Sequence, residues 1–363
     1  MVTHPAASAL AVVCAALIGF AAHRASLCNV RAVVEIMSSG SAHMLGSLLQ
    51  ATLWMAALTG VLVFGLGWLP PPVVMAVPAG WALAGGWLFG AGAALNGGCS
   101  LSTLHRLADG ELGMLATLAG FVLALAAWAV AVNSSARLTL LPLAQVWQRW
   151  PALAPWLLAA LALWVLQRLY TFGRLARQPP RVAMHQRLHA PVYHLSVAAA
   201  VMGLAAGLLY ATQGAWSYTN HLRISVLHAV GHPGAALAPS AWHSGLVLAL
   251  VAGMLASALQ RGSLVWRRPE RGSTWLRHAG GGALMGAGAA LVPGGNDTIL
   301  LNQLPTLTLQ AAATYLVMLA GIASVLWLAR LARWPMPAMA CTPAGCNEAQ
   351  IQTPQPLRQG DHP

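Results

Sequence analysis

Three short stretches of this chain hold the residue types that could handle a small anion. Cys99 follows Gly97 and Gly98 and precedes Ser100-Leu-Ser-Thr103, which reads as the start of a helix. A helix N-terminus offers free N–H groups and the positive end of the dipole, so it favours an anion and draws a thiol toward thiolate. Cys28 is flanked by Arg24 and Arg31, and a thiol beside guanidinium groups is a charge-assisted anion contact. Asn296-Asp297 follow Gly294-Gly295, and Asp297 is the one acidic residue in the apolar part of the second half. An ionisable residue inside a membrane is a functional candidate by default.

Each stretch also has a structural reading. Cys99 fits a helix-packing gap as a small buried side chain. The two arginines obey membrane topology rules, and Asp297 suits the N-cap of a segment beginning at Thr298. The seven acidic residues are scattered, so no carboxylate pair suits acid–base catalysis. The thirteen histidines offer no pair at metal-ligand spacing with acidic support. The expectation is therefore no metal, no cofactor and no enzyme.

The elements that must position these residues are membrane helices. Apolar residues make up 58% of the 363 and charged residues 7%, against roughly 25% charged in an average soluble domain. Apolar runs of the length that crosses a bilayer lie near 7–23, 44–69, 75–95, 112–132, 153–170, 192–212, 241–260, 277–292 and 309–331, about nine in all. The first reads as a retained span rather than a signal peptide, having no basic residue before it. The lipid bilayer is thus an obligatory partner. The net charge of +12 does not point to nucleic acid, because every basic residue is Arg and most sit at helix ends.

A six-residue string occurs twice: Gly90-Ala-Gly-Ala-Ala-Leu95 and Gly286-Ala-Gly-Ala-Ala-Leu291. Gly85-Gly86 and Gly281-Gly282 precede the copies, and Leu118-Ala-Gly120 and Leu319-Ala-Gly321 follow them. Duplicated, glycine-interrupted hydrophobic segments mark the binding site of many transporters. The expected fold is an all-α polytopic membrane protein with re-entrant half-helices. Residues 1–135 form a first repeat, 136–190 a connecting helix and loop, and 191–334 a second, inverted repeat. The Pro- and Gln-rich segment 335–363 reads as a disordered tail carrying two incidental thiols, Cys341 and Cys346. Val30–Met37 and Thr298–Leu304 are too short to span and suit half-helices, tolerated at depth only where protein or an aqueous cavity surrounds them. If positive charge marks the inside, all the arginines but Arg137, Arg149 and Arg223 lie there, with the N-terminus outside and the C-terminus inside.

The segments around Cys28, from Gly85 to Gly110 and from Gly281 to Leu301 resemble the YeeE/YedE family of bacterial inner-membrane sulphur-transport proteins. The resemblance covers about residues 10–332. It implies an inverted-repeat bundle pinched by half-helices and import of a thiosulfate-like anion. Cysteines at the pinch would relay the anion, with Cys28 and Cys99 matching two of those positions. The third, in the second glycine loop, is not cysteine here; Gly295, Asn296 or Asp297 stands there. Arg24, Gly97, Gly98, Gly294, Gly295, Asn296 and Asp297 complete the expected substrate-binding set. A cytoplasmic sulphur-carrier protein is a further candidate partner. Two other readings stay open: a membrane-embedded sulphur-transfer enzyme forming a persulfide on Cys99, and a non-transporting partner of a sulphur carrier.

Overall fold

The computed structural model describes residues 5–72, 75–133, 141–142, 145–177, 193–232, 239–334, 338–342 and 345–349. Arg137, Arg181, Arg187 and Arg358 of the topology argument, and His185 and His189, lie outside the described residues. The helices are α1 (Pro5–Arg24), α2 (Asn29–Ser39), α3 (His43–Gly60), α4 (Ala79–Asn96), α5 (Ser100–Ala108), α6 (Gly113–Asn133), the single turn α7 (Val146–Arg149) and α8 (Ala154–Arg177). They continue as α9 (Leu195–Gln213), α10 (Tyr218–Ala229), α11 (Ala241–Arg261), α12 (Gly272–Leu291), α13 (Asn296–Thr298) and α14 (Leu309–Leu331). A π turn (Ile299–Gln303) and a 3-10 turn (Leu304–Thr306) extend α13.

Seven described stretches are long and apolar enough to cross a membrane: α1 with α2, α3, α6, α8, α9, α11 and α14. The chain is a helical, polytopic membrane protein. Helices α4 and α12 are 18 and 20 residues long, but glycine dilutes their apolar character. That glycine has a packing role. Helix α4 lies against α12, α6 packs on α12, and α14 packs on α4. A Cβ at Gly85 would meet the Gly288 carbonyl at 2.9 Å, and one at Gly288 would meet the Gly85 carbonyl at 2.6 Å. Gly92 and Gly281 face each other in the same way. Gly90 abuts the Met318 carbonyl of α14, and Gly286 the Phe121 carbonyl of α6. The duplicated string is thus the seam where backbones approach closely, the small-residue packing that membrane helices use in place of a hydrophobic drive.

Around this seam α1 packs on α11 and α9, and α3 on α9. Helix α8 stands apart, touching α3 through Trp54, whose ring lies 5.2 Å from that of Trp164 and 6.3 Å from that of Phe172, and no residue of its apolar window is fully buried.

The bundle has two chemically distinct ends. At one, His23 Nε2 lies 3.0 Å from Asp109 Oδ1, Ser263 donates to the same carboxylate, and Arg24 donates to Gln260. Arg106 and Glu111 form an ion pair there, and the Leu112 N–H bonds the Arg267 carbonyl. At the other end the strands β1 (Met75–Ala76) and β2 (Leu141–Pro142) pair, Val146 N–H bonds the Leu307 carbonyl and Gln310 bonds that of Val77.

Part of the tail expected to be disordered is ordered. Strands β3 (Ala338–Thr342) and β4 (Gly345–Ala349) form an antiparallel hairpin packed on α2. Cys341 is buried and disulfide-bonded, directly across the register from Cys346, so neither metal binding nor an incidental thiol describes it. Composition hid this, because cross-strand pairing and a covalent link supply the constraint that a Pro- and Gln-rich segment lacks. Residues 350–363 lie outside the described residues.

Because Gly288 sits against backbone, Gly288→Val must separate α4 from α12. A loss of about 1–3 kcal/mol or more is expected, the cost of overpacking, read as a lower melting temperature in detergent. Gly46→Ala, in open space on α3, is expected to be neutral or mildly stabilising; equal losses for the two would contradict the seam.

Candidate functional site

Four short helices begin at one place inside the bundle. Cys28 is the N-cap of α2, Cys99 of α5, Ser217 of α10 and Gly295 of α13. Their first turns are stitched together. Ser100 Oγ donates to Asn296 Oδ1 at 2.5 Å, and Tyr218 OH donates to the Ser100 carbonyl at 3.0 Å. Ser217 and Thr298 hydroxyls pair at 2.6 Å, and Thr219 gives both its N–H and its hydroxyl to the Asp297 carboxylate.

Local sequence explains each break. Gly97 ends α4 in the left-handed conformation (φ 78°), and at Gly98 a Cβ would strike Ser102. Asn96 fixes this loop, donating to the Gly98 carbonyl and to Thr103, while its Oδ1 bonds Thr117 at 2.7 Å and His278 Nδ1 at 2.8 Å. Gly294 has φ 112° and leaves room for Thr298, and Gly295 fits between Phe89 and Thr219. Ser26, at φ 50°, turns the chain after α1. The buried Glu35 carboxylate accepts from the N–H groups of His43 and Met44, both at 2.9 Å, which caps α3 and fixes the far end of α2.

The Cys28 and Cys99 thiols meet. Both are 1% exposed and free, and both line the same narrow cavity. Each cysteine is the N-cap of its helix, so the first-turn N–H groups of α2 and of α5 lie beside the pair. Two thiols therefore sit at two helix N-termini, whose free N–H groups and dipole ends favour negative charge.

A narrow cavity borders the pair, lined by Cys28, Asn29, Cys99, Asn296 and Asp297 among leucines and Met202. A second cavity abuts it and has a different lining: Tyr210, Trp216, Ser217, Tyr218 and Asn302. The two share Leu101, Leu301 and Asp297. A larger apolar groove between α3 and α8 is lined by no ionisable group.

Of the residues singled out in the sequence, the structure gathers Cys28, Cys99, Gly98, Gly295, Asn296 and Asp297 at this focus. Gly97 and Gly294 shape the loops behind it. Arg24 sits elsewhere: its guanidinium bonds Gln260 and stacks on Phe20 and Tyr193 at 5.3 and 5.1 Å. Arg31 is the guanidinium whose charge acts on Cys28. Asp297 reaches the neighbouring α10, where a cap on its own helix alone was the alternative reading. Ser100, Ser217, Tyr218, Thr219 and Tyr315, which donates to Asn29 at 2.8 Å, were not singled out. The only sequence signal for Ser217 to Thr219 is their place at the end of a polar interruption in an apolar half.

A family model described as Sulphur transport matches residues 24–324 of the chain. No curated protein matches it.

The meeting of the two thiols is directly testable. Mild oxidation of the purified, reduced protein is expected to yield a Cys28–Cys99 cross-linked peptide by mass spectrometry, absent from Cys99→Ser. Retention of two free thiols under conditions that oxidise a paired control would contradict the geometry.

Proposed function

The chain belongs to the sulphur transport (YeeE/YedE) family, and on that premise we propose that it imports a small, thiosulfate-like sulphur anion through the focus of its four short helices. The observation that carries this reading is the contact between Cys28 and Cys99 at two converging helix N-termini. The soft sulphur end of the anion would contact the thiols, and the N–H groups around them would offset its charge. No covalent step is needed. The anion exchanges one set of weak S–H and N–H contacts for the next, which is what a conducting site requires: binding firm enough to admit and weak enough to release.

The same reading treats α1–α6 and α9–α14 as inverted repeats joined by α8. The paired packing supports it: α1 on α11 answers α9 on α3, and α6 on α12 answers α14 on α4. Cys99 lies four residues past Leu95, and Gly295 four past Leu291. In this alignment Gly295 is the counterpart of Cys99. About nine crossings then place the arginine-rich end in the cytoplasm of a bacterial cell, with the N-terminus outside. A cytoplasmic sulphur-carrier protein would receive the cargo at that end.

Uptake of radiolabelled thiosulfate, sulfite and sulfate into cells lacking their own importers tests the proposal. Thiosulfate uptake is expected, reduced by about tenfold or more in Cys28→Ala and Cys99→Ala, the effect of 1.4 kcal/mol at the site. Uptake of none of the three by protein demonstrably in the membrane would overturn it.

A further inference from the structure

The two cavities meet at one polar residue. Asp297 lines both, and the rest of their shared boundary is Leu101 and Leu301. A solute moving between the hydroxyl- and indole-lined cavity and the thiol pair across this boundary meets a carboxyl group. Asp297 is 5% exposed, and its hydrogen bonds come from the neutral Thr219 N–H and hydroxyl.

The titratable groups around it are few. Tyr218 of α10 faces it with its hydroxyl committed to Ser100. Cys99 of α5 and Cys28 of α2 line the same cavity. Arg223, a turn further along α10, bonds Asn220 at 3.2 Å. From α3, the neutral Thr52 bonds the Leu300 carbonyl, and Tyr315 of α14 is bonded to Asn29. Among the described residues, the hydrogen-bond partners of Asp297 include no cation.

An ionised carboxylate there would repel an incoming sulphur anion at low effective dielectric, where charges interact far more strongly than in water. A neutral carboxylic acid would instead offer a donor. We propose that Asp297 is a proton-binding gate that couples anion entry to proton entry. The carboxylate takes a proton from the Trp216-side cavity, the anion then passes, and the proton leaves with it toward the thiols, restoring the carboxylate. Each anion carries one proton, and no electron or covalent bond changes hands. This rests on the transport reading and adds its coupling ion.

The experiment uses full-length protein in proteoliposomes enclosing a fluorescent pH reporter, with labelled thiosulfate outside. For the wild type, uptake acidifies the lumen and rises as outside pH falls, by up to about tenfold per unit for a single proton. In Asp297→Asn, a permanent mimic of the neutral acid, the number of protons entering per thiosulfate is expected to fall from one to none and the pH dependence of uptake to vanish. Thr219→Val removes a donor to the carboxylate and so favours the protonated form. It is expected to move the pH of half-maximal uptake upward by roughly one unit. Wild-type uptake without acidification would overturn the gate while leaving transport standing, as would acidification retained in Asp297→Asn or an unshifted midpoint in Thr219→Val. Absence of wild-type uptake would remove both readings.

Discussion

The first turn of a helix leaves N–H groups without partners, and a bilayer supplies none. Four such turns buried at one spot in a membrane protein set the constraint on which the rest of the structure depends. The chain meets it in part with side-chain acceptors: Asp297 takes the N–H of Thr219 in the first turn of α10, and the Thr298 hydroxyl takes that of Gly295. Hydroxyl bonds from Ser100 to Asn296 and from Tyr218 to the Ser100 carbonyl tie the same turns together. Around α2 and α5 the capping positions are thiols, which accept hydrogen bonds only weakly. Those are the N-termini left with unspent capacity for an anion.

Holding four helix starts together requires long helices that approach closely behind them. The glycines of α4 and α12 serve that end. A seam of Gly85 against Gly288 and Gly92 against Gly281 brings backbones into contact. It delivers the loop at Gly97-Gly98 and the loop at Gly294-Gly295 to the same depth. The polar cluster of Asn96, Thr117 and His278 then locks the first loop from behind.

Much of this was legible in the sequence. The run expected at 112–132 is α6 (Gly113–Asn133), and the one at 309–331 is α14 (Leu309–Leu331), because bilayer-length apolar runs leave little latitude. The glycine pairs and the residues after them also pointed to the focus. Contacts between segments far apart in the chain were not legible. Nothing in the spacing of Arg24 indicates that it stacks on Phe20 and Tyr193, or that Arg31 lies nearer the thiol. Thr219 could not be matched to Asp297, since one hydroxyl in a polar loop resembles the next until the fold brings it to a partner. The β3–β4 hairpin escaped for the same reason: composition sees proline and glutamine, not cross-strand register.

The two halves meet with different chemistry, thiols on one side and hydroxyls with a carboxyl on the other, and the anion's sulphur should seek the first. The most direct measurement is a structure of the protein soaked with selenosulfate, a selenium-tipped analogue of thiosulfate, with the selenium located by anomalous scattering. The account predicts a peak in van der Waals contact with both the Cys28 and the Cys99 sulfur. A fully occupied peak anywhere else in the bundle, with the thiol pair bare, would contradict it.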